Sequence, residues 1–136
     1  MKIDGQCHCG QLRYEAEIDP AAVTICHCSD CQKLSGSAFS VVVPARAESF
    51  KWLAGEASYY VKATAESGNA RVQAFCPRCA TRIYSGPAEG STGYFGIRVP
   101  TISQCAELAP SEQIWCRSAL AWVQDIGRIE PKSETE

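Results

Sequence analysis

The stretch Phe75-Cys76-Pro77-Arg78-Cys79 places two cysteines three positions apart. It lies between two short runs rich in β-branched and aromatic residues, 72–75 and 81–84, which favour strands. Tight turns with this cysteine spacing are the commonest way in which proteins present paired thiolates to zinc. Because redox-active pairs share the spacing, one pair alone is only moderately specific. The stretch therefore predicts the knuckle of a metal-binding β-hairpin that needs a second cysteine pair.

A second pair stands near the start of the chain, in Cys7-His8-Cys9. On a locally curved backbone, residues two apart can both face a metal while the residue between them faces away. With Cys76 and Cys79 this pair makes a set of four thiolates, which fills a tetrahedral zinc and leaves no position for water or substrate. We expect a structural zinc that ties the N-terminus to the middle of the chain.

The remaining cluster is Cys26, Cys28 and Cys31, three thiolates within six residues. Three protein ligands with a free fourth position are typical of a catalytic zinc. Either Cys105 or Cys116 could instead close this site. We expect Cys116 to be a small buried residue in a strand, a common fate of free cysteine.

The two histidines, His8 and His27, each stand between two cysteines that should face a metal. Their rings are therefore expected to point away from the metal. His27 could instead orient the metal-binding cysteines or contact the substrate.

Composition excludes several classes of function. The 136 residues are 46% hydrophobic and 21% charged, as in an ordinary soluble domain, and the net charge of -2 offers no basic field for nucleic acid. No apolar run resembles a secretory leader or a membrane span, so we expect a cytoplasmic protein without a membrane partner. Nine cysteines in a reducing compartment then indicate metal rather than disulfides.

The fold class follows from short alternating runs separated by turn residues. They predict a mainly β domain with strands near residues 12–18, 38–43, 49–53, 57–62, 72–75, 81–84, 94–99 and 114–117. Helical signals are weak and confined to residues 28–34 and 106–112. We expect one domain over residues 1–126 and a disordered polar tail over residues 127–136.

These motifs, in this order, resemble the glutathione-dependent formaldehyde-activating enzyme family over residues 5–123. The resemblance rests on Gly5-Gln6-Cys7-His8-Cys9-Gly10, Cys26-His27-Cys28-Ser29-Asp30-Cys31-Gln32-Lys33, Ser35-Gly36-Ser37-Ala38-Phe39, Phe75-Cys76-Pro77-Arg78-Cys79 and the ending Ile114-Trp115 to Ala121-Trp122-Val123. It implies stacked antiparallel sheets with zinc knuckles at one end, a fold shared with a zinc chaperone of Rab GTPases. It also implies the same division of seven cysteines into a structural and a catalytic zinc site.

Two departures from the family pattern stand out. Ala80 follows the last knuckle cysteine, where the family usually has a glycine in a left-handed turn. Residues 100–104, Pro-Thr-Ile-Ser-Gln, replace a stretch that tends to be acidic in the family. The second departure leaves the substrate open.

The resemblance implies a zinc-dependent carbon-sulfur lyase, similar to S-(hydroxymethyl)glutathione synthase, that reversibly adds a thiol such as glutathione to formaldehyde or a related small electrophile. The partner would be a small-molecule thiol, and the protein a monomer or homodimer. Lys33, the backbone N–H groups near Ser35 and Gly36, and two further cations, Arg46 and Arg98, are candidates for substrate contact.

Two other classes of function stay open at this point. The same fold also serves in non-catalytic zinc modules that bind proteins. A redox enzyme of the methionine sulfoxide reductase type would instead use Cys116 as nucleophile and Cys105 as resolving cysteine.

Overall fold

Short β-strands make up most of this computed structural model, which describes residues 1–63, 68–88 and 93–134. One α-helix, α1 (Ser29–Ser35), and several short 3-10 helices join them. The strands of the described residues are β1 (Lys2–Gln6), β2 (Arg13–Glu17), β3 (Thr24–Cys26), β4 (Ser40–Arg46), β5 (Lys51–Ala54), β6 (Ser58–Lys62), β7 (Arg71–Phe75), β8 (Arg82–Pro87), β9 (Tyr94–Arg98) and β10 (Glu112–Ile114).

The smaller sheet has three antiparallel strands in the order β1-β2-β5. Exposed and buried residues alternate strictly along β1 and β2, so that Ile3, Tyr14 and Ala16 face the interior. This period of two is the pattern of a sheet with one face on the core and the other in water.

The larger sheet has the strand order β10-β3-β4-β9-β8-β7-β6. Its neighbouring strands are antiparallel, except that β10 pairs with β3 in parallel. The predicted mainly β fold of stacked antiparallel sheets is therefore confirmed, with one parallel pair at the edge that carries Cys26.

An aromatic cluster joins the two sheets. The Tyr14 ring of the small sheet stacks on Phe50 at 5.1 Å between centroids, and Phe50 meets Tyr84 and Phe95 of the large sheet at 5.1 and 5.4 Å. Trp52 lies 4.9 Å from Phe50 in an edge-to-face arrangement. Aromatic pairs at these distances each add about 0.5–1.5 kcal/mol beyond the apolar area that they bury.

The segment that departs from the family pattern docks on β1. The Ser103 hydroxyl and the Gln104 amide each donate to a carboxylate oxygen of Asp4 at 2.8 Å. The hydrogen bonds from Gln104 and then Ser103 lower the pKa of Asp4 below its usual value. In this chain, therefore, the segment stabilises the sheet.

Most predicted elements are present, but the runs at 106–112 and 114–117 differ, and two strands were missed. The run at residues 12–18 gives β2, and the run at 28–34 gives α1 with Cys28 as its N-cap. The runs at 38–43, 49–53, 57–62, 72–75, 81–84 and 94–99 give β4 to β9. Strands β1 and β3 were not predicted, and residues 106–112 hold only the end of a 3-10 helix, Cys105–Glu107, and the start of β10.

The expectation of a buried Cys116 in a strand is wrong. Strand β10 ends at Ile114 because Trp115 takes a left-handed conformation, with φ 56°, and turns the chain. Cys116 follows in a 3-10 helix and is exposed. Further along, the last 3-10 helix, Ala121–Arg128, overlaps the first two residues of the expected tail. No helix among the described residues is long and apolar enough to cross a membrane.

Gly5 provides a test of the packing between β1 and β2. A Cβ atom at Gly5 would lie 2.3 Å from the Tyr14 ring and 2.5 Å from the Thr101 carbonyl oxygen. We expect Gly5→Ala to lower the free energy of unfolding by about 1–3 kcal/mol, the usual cost of overpacking. Urea denaturation measures this. Gly127→Ala is the control, because no atom lies within 4 Å of its added Cβ, and an equal loss in both variants would contradict the account.

Candidate metal centres

Four cysteines converge where the two sheets meet. Cys7 follows β1, Cys76 follows β7, and their Sγ atoms lie with those of Cys9 and Cys79 within 4.8 Å of one another. The Cys7–Cys9 and Cys9–Cys76 sulfur separations are 3.6 and 3.8 Å. A tetrahedron with metal–sulfur bonds of about 2.3 Å requires sulfur separations of about 3.8 Å. The cluster therefore has the dimensions of a four-thiolate metal site.

Hydrogen bonds hold the sulfur atoms in place. The backbone N–H of Leu12 donates to Cys7 Sγ at 3.2 Å, and that of Arg78 donates to Cys76 Sγ at 3.4 Å. The Cys79 sulfur lies 3.1 Å from the Thr81 hydroxyl. Because donors aimed at sulfur favour the thiolate, this hydrogen bond and others lower the pKa of Cys79 to about 5.

Thr81 also connects the two cysteine turns. Its hydroxyl accepts a hydrogen bond from the backbone N–H of His8 at 3.0 Å, and its carbonyl accepts one from the N–H of Cys76 at 2.9 Å. The His8 side chain is exposed, and its ring belongs to neither cysteine cluster. Hydrogen bonds through Thr81 thus connect the turn that carries Cys76 and Cys79 to the turn that carries Cys7 and Cys9, independently of any bound metal.

The second cluster lies at the edge of the large sheet that α1 covers. Cys26 ends β3, Cys28 caps the N-terminus of α1, and Cys31 lies in the first turn of that helix. Their sulfur atoms lie within 4.8 Å of one another, and no fourth His, Cys, Asp or Glu among the described residues joins them. Cys105 and Cys116 are exposed and outside the cluster. The described residues therefore leave a fourth position around a metal open.

The three sulfur atoms divide their protons unequally. Hydrogen bonds from Cys26 and Cys28, together with the positive charge of Arg98, lower the pKa of Cys31 to about 5, against the opposing effect of burial. The pKa of Cys26 rises, first because of its hydrogen bond with Cys31 and then because of burial. The backbone N–H of Cys31 donates to Cys28 Sγ at 3.2 Å. These effects favour a thiolate at Cys31 over one at Cys26 or Cys28.

His27 is part of the support behind this cluster. Its ring is buried, its Nε2 atom lies 2.7 Å from the Gln113 side-chain oxygen, and it contacts the Phe39 ring edge-to-face at 5.6 Å. The Gln32 amide donates to the carbonyl oxygens of His27 and Ser118 at 2.8 and 2.9 Å. As predicted, the His27 ring does not join the cysteine cluster. Its contact with Gln113 fixes β10 against the loop that carries Cys28.

The cations that the sequence suggested lie in different environments. Lys33 is exposed on the last turn of α1, and Arg46 is exposed and paired with Glu48 at 3.6 Å. Ser35 is also exposed, and Gly36 ends α1 in the left-handed conformation, with φ 65°. Arg98 alone of these candidates is buried, and it is close enough to influence Cys31.

Sequence reasoning missed Arg71, Gln73 and Arg82. Gln73 is only 2% exposed and accepts hydrogen bonds on its side-chain oxygen from Arg82 and Arg98. A signal was present, since β7 alternates Arg71-Val72-Gln73-Ala74 and places Arg71 and Gln73 on one face of a strand that has a neighbour on each side. Polar residues at such positions are unusual enough to suggest a polar site.

The family model for the glutathione-dependent formaldehyde-activating enzyme matches residues 2–118. The chain belongs to this family. The match spans both cysteine clusters and confirms the resemblance seen in the sequence. A search of curated proteins found no match.

Among solved structures, a crystal structure of a Rhodobacter sphaeroides protein is similar to this member of the glutathione-dependent formaldehyde-activating enzyme family. The TM-score is 0.62 at 19% identity, and the match covers 81% of this chain and 98% of the other. At this identity the likeness concerns the fold alone.

Ala80 gives a test of the cysteine turn. Its φ of 65° lies in the left-handed region, and its N–H closes the turn on the Cys76 carbonyl at 2.9 Å. A left-handed conformation costs a residue with a Cβ about 1–2 kcal/mol. Glycine avoids this strain, but it makes the unfolded chain more flexible, which cancels part of the gain in stability. We expect Ala80→Gly to raise the free energy of unfolding by about 0.5–1 kcal/mol.

Ala121→Gly is the control for this substitution. Ala121 begins the last 3-10 helix and has no positive φ, so glycine should leave stability unchanged or lower it slightly. Thermal denaturation of the three proteins checks the comparison. A loss of stability in Ala80→Gly would show that the turn is not strained.

Proposed function

We propose that this protein is a zinc-dependent carbon-sulfur lyase resembling S-(hydroxymethyl)glutathione synthase. It would reversibly add a thiol such as glutathione to formaldehyde or a related small electrophile. The observation that supports this most directly is the three-cysteine cluster that lacks a fourth ligand among the described residues. Family membership supports the same reaction class.

The donor sets suit zinc. Soft thiolates in a tetrahedral arrangement are typical of zinc and iron sites, and two separate sites with four and three cysteines match the closed and open types of zinc site. We propose a structural zinc on Cys7, Cys9, Cys76 and Cys79. A second zinc would be held by Cys26, Cys28 and Cys31, so that one chain carries two.

When bound, zinc in the open site would supply a positive charge that lowers the pKa of a ligand in the fourth position. The chain itself would hold and orient the reactants. The first turn of α1 fixes Cys28 and Cys31 through one N–H···S hydrogen bond. The buried His27 ring holds β10 next to the cluster through its contact with Gln113. Lys33 and the backbone around Ser35 and Gly36 are proposed contacts for the outer part of the thiol substrate.

The proposed partner is a small-molecule thiol rather than nucleic acid or a membrane. We propose that the protein acts in the cytoplasm as a monomer or homodimer. Sedimentation velocity of the purified protein measures the oligomeric state.

Metal analysis tests the division of the cysteines. We expect about two zinc ions per chain in the wild type. Cys76→Ser should lose one zinc and much of its thermal stability, because it leaves one face of a structural site unligated. Cys31→Ser should lose the other zinc with a smaller effect on stability. Cys116→Ser, which alters an exposed cysteine outside both clusters, is the control. Full zinc content in Cys76→Ser would refute this division.

Exchange NMR tests the reaction. With formaldehyde and glutathione, wild-type protein should accelerate exchange between free glutathione and its hydroxymethyl adduct, because the open site orients the thiol. Cys31→Ser should reduce this acceleration at least about a hundredfold, the scale of losing one catalytic group. Cys105→Ser should behave as wild type. Exchange at the uncatalysed rate with wild-type protein would favour a non-catalytic zinc module instead.

A further inference from the structure

Three arginines from neighbouring strands of the large sheet meet around one buried glutamine. Arg82 of β8 and Arg98 of β9 both donate to the Gln73 side-chain oxygen, the second at 3.3 Å. The Gln73 amide donates to the Ser85 hydroxyl at 2.9 Å, and Arg71 of β7 donates to the Ser85 carbonyl at 3.1 Å. Neutral groups therefore hold three positive charges together. We call Arg71, Arg82 and Arg98 the arginine cluster.

The arginine cluster has no acidic partner in the described residues. Within the described ranges 1–63, 68–88 and 93–134, no carboxylate lies within 4.0 Å of these guanidinium groups, whereas Arg46, Lys62 and Arg128 each have one. Burial and the charge of Arg98 lower the pKa of Arg82 to about 10 and also lower that of Arg71. The mutual repulsion of the three guanidinium groups is therefore not offset by a carboxylate of the described chain.

Strand register places these side chains on the face of the large sheet that carries Cys26, and Arg98 and Arg82 are close enough to Cys31 for their charges to interact. Cys26 pairs with Ser40 on β4, and Arg98 pairs with Val42, two positions further along the same strand. Because residues two apart in a strand share a face, Cys26 and Arg98 lie on the same face of the sheet. Across β8 and β7 the same rule adds Ser85, Gln73 and Arg71. Arg82 joins this face through the register shift in β7 and β8, because it pairs with Phe75, two positions from Gln73.

Some polar atoms in this region have no partner. Among the described residues, the Nε and Nη1 atoms of Arg82 are buried without a hydrogen bond. An unpaired buried polar group costs about 1–3 kcal/mol, and more if it is charged. An acceptor that a ligand brings to these Arg82 atoms would remove this cost.

The charge balance favours an anionic ligand. Three thiolates on a divalent ion carry one net negative charge, which offsets only one of the three arginines. A planar guanidinium matches a carboxylate in two parallel hydrogen bonds and is hard to satisfy with neutral groups. If the arginines only balanced the thiolates, one would suffice.

We propose that the arginine cluster binds a carboxylate of the substrate beside the three-cysteine cluster. This inference rests on the proposed function, in which that cluster receives a thiol. It narrows the substrate class to a thiol, or its adduct, that carries a carboxylate near the reacting sulfur. Neutral thiols of similar size would bind more weakly.

A probe without sulfur tests the carboxylate site separately from the reaction. Zinc-loaded ¹⁵N-labelled protein is titrated at low ionic strength and neutral pH with propionate and, in parallel, with its neutral isostere propionamide. We expect propionate to bind at least about tenfold more tightly, since it alone makes charge-assisted hydrogen bonds. The largest amide shifts should lie in β7, β8 and β9. Equal affinity for the two probes would overturn the proposal.

Variants assign the binding to the arginine cluster. Arg98→Gln and Arg82→Gln should each abolish the preference for propionate and leave propionamide binding unchanged. Arg46→Gln removes the same charge from an exposed position and should keep the preference. A preference that persists in both cluster variants would overturn the proposal. The wild-type comparison remains decisive if a variant fails to give a folded spectrum.

The outcome separates this inference from the proposed function. Arginine-dependent propionate binding in a protein that does not accelerate the formaldehyde exchange would support the carboxylate site and refute the lyase. Acceleration of the exchange without a preference for propionate would support the lyase and overturn the carboxylate site.

Discussion

The convergence of four cysteine sulfurs is the constraint on which the rest of the fold depends. Cys7 and Cys9 follow the first strand of the small sheet, and Cys76 and Cys79 connect two strands of the large sheet. Thiolates held within 4.8 Å of one another repel, so this end of the molecule is stable only when a cation or protons offset their charge. The aromatic cluster packs the sheets face to face, and the sulfur cluster fixes their relative position at one end.

The three-cysteine cluster is assembled by consecutive elements of the chain. Strand β3 delivers Cys26 at the edge of the large sheet, and α1 begins immediately afterwards and brings Cys28 and Cys31 to the same point. The buried His27 and Gln32 connect this loop to the segment around β10. Under the proposed function, the four-cysteine cluster would support the structure and the three-cysteine cluster would carry the chemistry. The arginine cluster would then select the substrate.

The sequence was sufficient for some of these features because they are local. Ligand spacing alone divides the seven clustered cysteines into four and three, and alternation alone finds most strands. The left-handed turn at Ala80 was also expected, because the family that the sequence resembles usually has a glycine at this position. Sequence could not show that Arg71, Arg82 and Arg98 meet, because strand order β9-β8-β7 and register bring them together across the sheet. It also misplaced Cys116, because the left-handed Trp115 ends the strand at Ile114, three residues before the end that the apolar pattern indicates.

The central claim is that one thiolate site is closed and the other open, and cobalt substitution tests it most directly. Cobalt(II) in both sites should give the intense visible absorption of tetrahedral thiolate coordination. Added glutathione should change the part of the spectrum that is lost in Cys31→Ser and leave the part that is lost in Cys76→Ser unchanged. A spectrum that does not respond to glutathione, or that responds equally in the two variants, would contradict the account.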